Sequence, residues 1–241
     1  MFRPLPVRLA VLALAVAGSG CGASNALHEV SVDGRDVAVA AAIPPAPRVQ
    51  SGHPGEGGIN PYDPIGSAVR VGTAIEKRKQ ARRAQARLDS VVAQVDVADR
   101  IARQVLAQTA ETLRFEPAPR LDGAAYVLDL RIADYALVAD SFEGATYFVL
   151  EGEILFLDGA TGREYWHARL REREVLDGSI FGMPAALGNV LTGRALARLT
   201  PDEMATGLRR LADLTAQRIV ARFENDYRDS RKAYAKAQRS R

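Results

Sequence analysis

One thiol stands in 241 residues, at Cys21. A thiolate can attack a carbonyl, bind a soft metal, form a disulfide or carry a covalently attached group. A single cysteine forms no intrachain disulfide, and the neighbours Ala17-Gly18-Ser19-Gly20-Cys21-Gly22-Ala23-Ser24 offer no second metal ligand. A packing role needs a core, and this run of small residues has none to enter. What remains is covalent modification, and the residues before the thiol agree with it. Arg3 and Arg8 precede the apolar run Leu9 to Ala17, and small residues follow, the order of an export signal. Nine apolar residues fall well short of the roughly 20 that span a bilayer as a helix.

Two cleavage patterns overlap here. Gly18-Ser19-Gly20-Cys21 resembles the lipobox of bacterial lipoproteins, although Gly18 stands where those proteins usually carry Leu. That resemblance implies a diacylglycerol thioether on Cys21, cleavage before it, and a mature chain beginning there. Ala15-Val16-Ala17 fits ordinary secretory cleavage, which would release a soluble chain starting at Gly18. Two or three acyl chains hold a protein on a membrane stably, where one does so only marginally. Gly22 occupies the place where lipoproteins of the inner membrane often carry Asp, so the resemblance implies the periplasmic face of the outer membrane.

Other residues capable of chemistry are scattered. None of H-E-x-x-H, G-x-S-x-G, S-x-x-K, C-x-x-C or G-x-x-x-x-G-K-[ST] occurs. His53 lies among glycines without nearby ligands, and His167 reads as the cross-strand partner of a glutamate. Glu151 and Glu153 share one strand phase, which suits a solvated face. The expectation is a non-enzyme with no cofactor beyond the covalent lipid on Cys21.

The charge balance is 32 basic against 29 acidic residues, net +3; removing residues 1–20 takes away Arg3 and Arg8 and leaves +1. An exported chain this close to neutral is a poor nucleic-acid binder. Pro44, Pro45, Pro47, Pro54, Pro61 and Pro64 are interleaved with four glycines, so residues 21–64 read as a disordered tether after a signal peptide at 1–20. Within it, Val30 to Val39 alternates about Asp33-Gly34 and could form a hairpin.

Residues 65–227 then read as one α+β domain, and 228–241 as a basic tail. A first helix carries Arg78, Lys79, Arg82, Arg83 and Arg87 over a thin apolar side that includes Ala84 and Leu88. Asp96 caps a second helix, to about Leu113, which presents Ile101, Val105, Leu106, Thr109 and Leu113. Thr200-Pro201-Asp202-Glu203 is a capping box with Pro at the first helical position, followed by a stripe from Met204 to Phe223.

Between these helices lie strands. Tyr126, Leu128, Leu130 and Ile132 alternate until the phase slips to Tyr135 and Leu137, which predicts a bulge near Ala133 or Asp134. "YFVLEGEILFL", the turn "DGATG" and "REYWHARLRERE" form a hairpin. Pairing Leu157 with Arg163 sets Ile154 against Trp166, Gly152 against Ala168 and Glu153 against His167. Gly152 and Ala168 would then leave a gap for a helix. The expected architecture is an antiparallel sheet of three or more strands with helices on one face.

The segments "AAYVLDLRIADY" and "FVLEGEILFLDGATGREYW", together with the lipobox cysteine, resemble the small periplasmic α/β domains of bacterial outer-membrane lipoproteins of the LpoB, CsgG and ABC-transport auxiliary kinds. The resemblance implies a non-catalytic adaptor or assembly factor for an envelope complex; a lipid or small-ligand carrier is the other reading. Candidate partner-binding residues are Phe181, Met183 and Leu187 in a glycine-broken apolar stretch and Arg78, Lys79 and Arg82 on the basic helix.

Overall fold

The computed structural model describes residues 25–51, 78–79, 81–139, 141, 143–183 and 190–240. Its frame is a mixed six-stranded sheet. Strands β1 (Asp36–Ala42), β2 (Arg48–Ser51), β3 (Glu116–Pro117), β4 (Tyr126–Ala139), β5 (Thr146–Asp158) and β6 (Glu164–Val175) are ordered β3-β1-β4-β5-β6, with β2 also on β4. Helical residues 81–92 (α1), Val97–Leu113 (α2), the single turn Gly193–Leu196 (α3) and the 39-residue Pro201–Arg239 (α4) complete it.

The three long strands alternate, and one phase is buried. Leu128, Leu130, Ile132, Phe148, Leu150, Ile154, Phe156, Trp166 and Leu170 form one core with Leu88 of α1, Ile101 and Val105 of α2, and Leu208, Leu211, Ile219 and Phe223 of α4. Phe223 lies 5.2 Å from Phe156 and 5.1 Å from Trp166, ring centre to ring centre. The helix starts are those read from the sequence. Asp96 accepts the Asp99 amide, and Thr200 and Glu203 complete a reciprocal box at 2.7 and 3.3 Å. Arg100 and Gln104 of α2 bind Asp213 of α4, the guanidinium donating to both carboxylate oxygens at 2.5 and 2.9 Å.

The bulge falls between Ile132 and Asp134 as the phase slip predicts. Gly152 serves it: a Cβ there would come within 2.5 Å of the Arg131 carbonyl oxygen. The expected helix approach at Gly152 is thus replaced by the backbone of β4. The β5/β6 register differs by two residues from the expected one, pairing Ile154 with Ala168, Glu153 with Arg169 and Phe156 with Trp166. Asp158 explains the shift. Its carboxylate accepts the amides of Ala160 and Thr161 and the Thr161 hydroxyl, enlarging the turn, and a second bulge follows Phe156. Because the slip is even, every side chain keeps its predicted face.

Four expectations are corrected. The sheet is mixed, since β1 and β2 run parallel to β4. Residues 25–51 of the expected tether belong to the fold, with Leu27, Val30, Val32 and Val37 buried; residues 52–64 lie outside the described residues. No hairpin forms at Asp33-Gly34. Gly34, at φ +64°, donates its amide to the Arg114 carbonyl at the left-handed cap of α2, so the turn meets a helix end instead of a partner strand. Lastly, 228–239 is the continuation of α4, not a separate tail.

Candidate functional site

The second face of β4-β5-β6 carries the other alternation phase. Successive rows across the strands read Asp129–Leu155–His167, Arg131–Glu153–Arg169, Asp134–Glu151–Arg171, Ala136–Val149–Arg173 and Val138–Tyr147–Val175. The middle rows are a charge ladder: Glu153 sits between Arg131 and Arg169, its carboxylate 3.7 Å from the Arg169 Nε and 3.6 Å from His167 Nε2. Arg131 pairs along its own strand with Asp129, and Arg48 of β2 holds Asp134 at 2.7 Å. Exposed pairs of this kind contribute little stability, about 0–1 kcal/mol each. The last rows are apolar, with Arg173 stacked 4.2 Å over the Tyr147 ring and Val175 45% exposed. The face is thus divided into a charged half and an apolar half.

His167 was expected to oppose Glu153; the shifted register puts it diagonal, opposite Leu155. Among the described residues no group of three or more His, Cys, Asp or Glu is placed to hold a metal ion.

The connection after β6 is more firmly held than its glycines suggest. Asp177 caps a short turn, Gly178–Phe181, by accepting the Ser179 amide, which holds its carboxyl below the usual range. Phe181 is fully buried against α4, where Gly207 lets its ring touch the helix backbone. Arg210 also donates to the Ser179 carbonyl. Phe181 is therefore a core residue, and its candidacy as a partner contact is withdrawn. Met183 is half-buried and lines a cavity of about 290 Å³ with Thr192, Arg194, Ala195, Arg198, Leu199 and Glu203. Leu187 lies outside the described residues, as does Cys21.

Arg78 and Lys79, on helical residues before α1, and Arg82, within it, are exposed. Their neighbour Arg87 has an internal use: its Nη1 donates to the carbonyls of Ala197 and Leu199, both at 2.7 Å, satisfying the end of α3. Gln85 accepts the Val49 amide at 2.7 Å and so covers the free edge of β2. The basic helix is in part a structural element whose arginines at 78 and 82 remain available to solvent.

A third region had no sequence signal. Asn25 donates to the Asp226 carbonyl at 3.1 Å, and Asp226 in turn binds the Trp166 indole at 3.0 Å and the Arg222 guanidinium at 2.8 Å. The His28 amide donates to Ser230 Oγ at 3.0 Å, and its ring stacks on Tyr234 at 4.8 Å. The start of the described chain is thereby fastened to the far end of α4. No periodicity could reveal this, because the fastening uses isolated polar residues some 200 positions apart.

No protein-family model matches the chain, and no curated protein matches it. Among solved structures it is similar to PelC dodecamers from Paraburkholderia phytofirmans. A point variant of PelC is 9% identical, with TM-score 0.31 over 76% of this chain and 91% of that one; a second crystal form is 12% identical, with TM-score 0.28 over 79% and 93%. No helix of the described residues is long and apolar enough to cross a membrane.

Proposed function

We propose that the chain is exported, acylated on Cys21 and held on the periplasmic face of the outer membrane, where its α+β domain serves as a non-catalytic adaptor for an envelope protein complex. The observation that carries the adaptor role is the one-sided sheet. Helices cover one face, while the other presents the Arg131–Glu153–Arg169 ladder beside Tyr147, Val149 and Val175 among the described residues. A single positively charged face would suit a polyanion; alternating charges next to aromatic and aliphatic groups suit another folded protein.

The test has two arms. Metabolic palmitate labelling and fractionation of Cys21→Ala report the anchor: loss of label and of membrane association in the variant supports it. A photocrosslinking residue in place of Val149 reports the face. The expected result is one recurrent protein adduct, abolished by Arg169→Glu and by Glu153→Arg singly and restored in the double exchange. An adduct pattern indifferent to these charges removes the adaptor reading.

A carrier role has one observation in its favour, the cavity beside α3, where Arg194 and Arg198 stand next to Met183 and Leu199. At about 290 Å³ it sits at the lower limit for a ligand of drug size. Co-purification of a stoichiometric lipid, lost in Leu199→Trp, would move the assignment there.

A further inference from the structure

Residues 25–28 and the C-terminal part of α4 are joined in the fold. If Cys21 bears the lipid, four peptide steps separate it from Asn25, the first described residue. Fully extended, they span about 14 Å. The domain is then held at the bilayer surface instead of on a tether of some forty residues. Which side faces the bilayer is set by where residues 25–28 are fastened, and that is α4 at Asp226, Ser230 and Tyr234.

Beyond Ser230, which is 7% exposed, every residue of α4 through Arg239 is exposed. This overhang rises about 14 Å along its axis, the same length as the link to Cys21. Residues 228–239 hold Arg228, Arg231, Lys232, Lys236 and Arg239 against the single acid Asp229. At 100° per residue the five cations fall within an arc of about 140°. His28 meets the other side, at Ser230 and Tyr234. A helix is only about 10–12 Å across, so a 14 Å link lets the leaflet lie along the cationic side.

From this juxtaposition we infer that the α4 overhang is a second membrane contact, docking on anionic phospholipid headgroups of the leaflet that holds the acyl chains. The inference rests on the Cys21 anchor proposed above. Anionic lipid is the occupant the geometry favours, because the link to the anchor is too short to place the overhang far from the leaflet and the charge is complementary. Lipid and cations together would fix the orientation of the domain, leaving the N-terminus of α4 about 54 Å away along the helix axis from Gln238 to Asp202.

The experiment uses the full lipidated chain. Once Cys21 is consumed by lipid, Gln238→Cys or Asp202→Cys supplies a unique attachment point for a donor fluorophore. Each labelled protein is reconstituted into vesicles bearing an acceptor on the headgroups, either neutral phosphatidylcholine alone or with about 30% phosphatidylglycerol. Energy transfer from position 238 is expected to rise at least about twofold with anionic lipid while transfer from 202 stays low, and the rise is expected to vanish at about 1 M salt. The set Arg231→Glu, Lys232→Glu, Lys236→Glu and Arg239→Glu is expected to abolish it without releasing the protein from the vesicles. The salt arm keeps the test decisive should that set fold poorly.

Labelled protein that floats with vesicles but shows equal transfer from both positions, or transfer indifferent to lipid charge, overturns the inference and leaves the anchor standing. Absence of palmitate and of flotation overturns both. So does, for the inference alone, a photocrosslinker in place of Ala235, exposed within the cationic arc, that captures a protein in cell envelopes in place of lipid.

Discussion

The two parts of α4 share one helix and nearly one composition of helix formers, yet they meet opposite surroundings. From Met204 to Tyr227 a stripe of buried residues lies against the sheet and α2; from Arg231 to Arg239 nothing is buried. The first part is helical because tertiary burial rewards it, at about 1.5–3 kcal/mol for each large side chain. The second has only propensity and continuation of an existing helix, which removes the cost of nucleation. Helicity alone is therefore a poor guide to where the packed domain stops. The change from an apolar stripe to an uninterrupted cationic side marks the boundary better.

Substitutions can break this contrast. The largest effect is expected at Phe223, wedged between Phe156 and Trp166: Phe223→Ala should lose about 3–5 kcal/mol in urea unfolding. Next is Gly207→Ala, whose Cβ would land 2.2 Å from the buried Phe181 ring. Its expected cost is about 1–3 kcal/mol, the reverse of the gain that Gly→Ala gives in an open helix.

Asp213 comes third. The Arg100 guanidinium hydrogen-bonded to it holds its carboxyl below the ordinary value, outweighing the opposing effect of burial, with Gln104 assisting. A depressed folded-state value means that this stabilisation is present above about pH 4, the unfolded carboxyl range, and is lost as pH falls through the folded one. Asp213→Asn should cost about 1 kcal/mol at pH 7, the pair being about a third exposed, and the difference from the parent should shrink in acid. A thermal-shift series across pH 2–7 would falsify the assignment if the gap stayed constant. Smallest is the overhang: the four-fold Glu exchange at 231, 232, 236 and 239 should change unfolding free energy by no more than about 0.5 kcal/mol. A larger loss would show that the two parts of the helix are not energetically separate.

Much of the frame was legible. Caps at Asp96 and Thr200 are local chemistry, and local chemistry is what a sequence displays most directly. The phase slip at Ile132/Asp134 was readable because a bulge alters the side-chain period. Less could be read where distant residues decide. Val37 and Val39 alternate as strand residues should, but nothing near them tells that β1 runs parallel to β4 with α2 between them in sequence. Proline-rich flanks at 44–47 disguised a chain that turns from β1 into β2 while both remain on β4. The turn at Asp158 was recognised, but its size was set by three hydrogen bonds to one carboxylate, and the register moved with it.

For the candidate site the alternation of Glu151 and Glu153 and a basic partner on β6 were visible, but not Arg131, which β4 brings beside Glu153. The apolar stretch near Phe181, broken by glycines, reads as a packed connection or as a partner-binding loop, and Phe181 itself is packed. One of the residues that buries it, Gly207, is a residue whose importance consists in lacking a side chain. The fastening of Asn25 and His28 to α4 was invisible for want of any repeating pattern.

Strand β6 stands last in the sheet order, and its charges are sorted by parity: Arg169, Arg171 and Arg173 lie in one phase, Glu172 and Glu174 in the other. When two identical strands meet antiparallel about an axis normal to their sheet, each residue confronts one of its own phase. Any such alignment overlapping this stretch sets arginine against arginine, and none brings arginine opposite glutamate. Copies of this domain that meet edge to edge are thus discouraged from zipping into a shared ribbon, while a foreign strand with the inverse sorting is not.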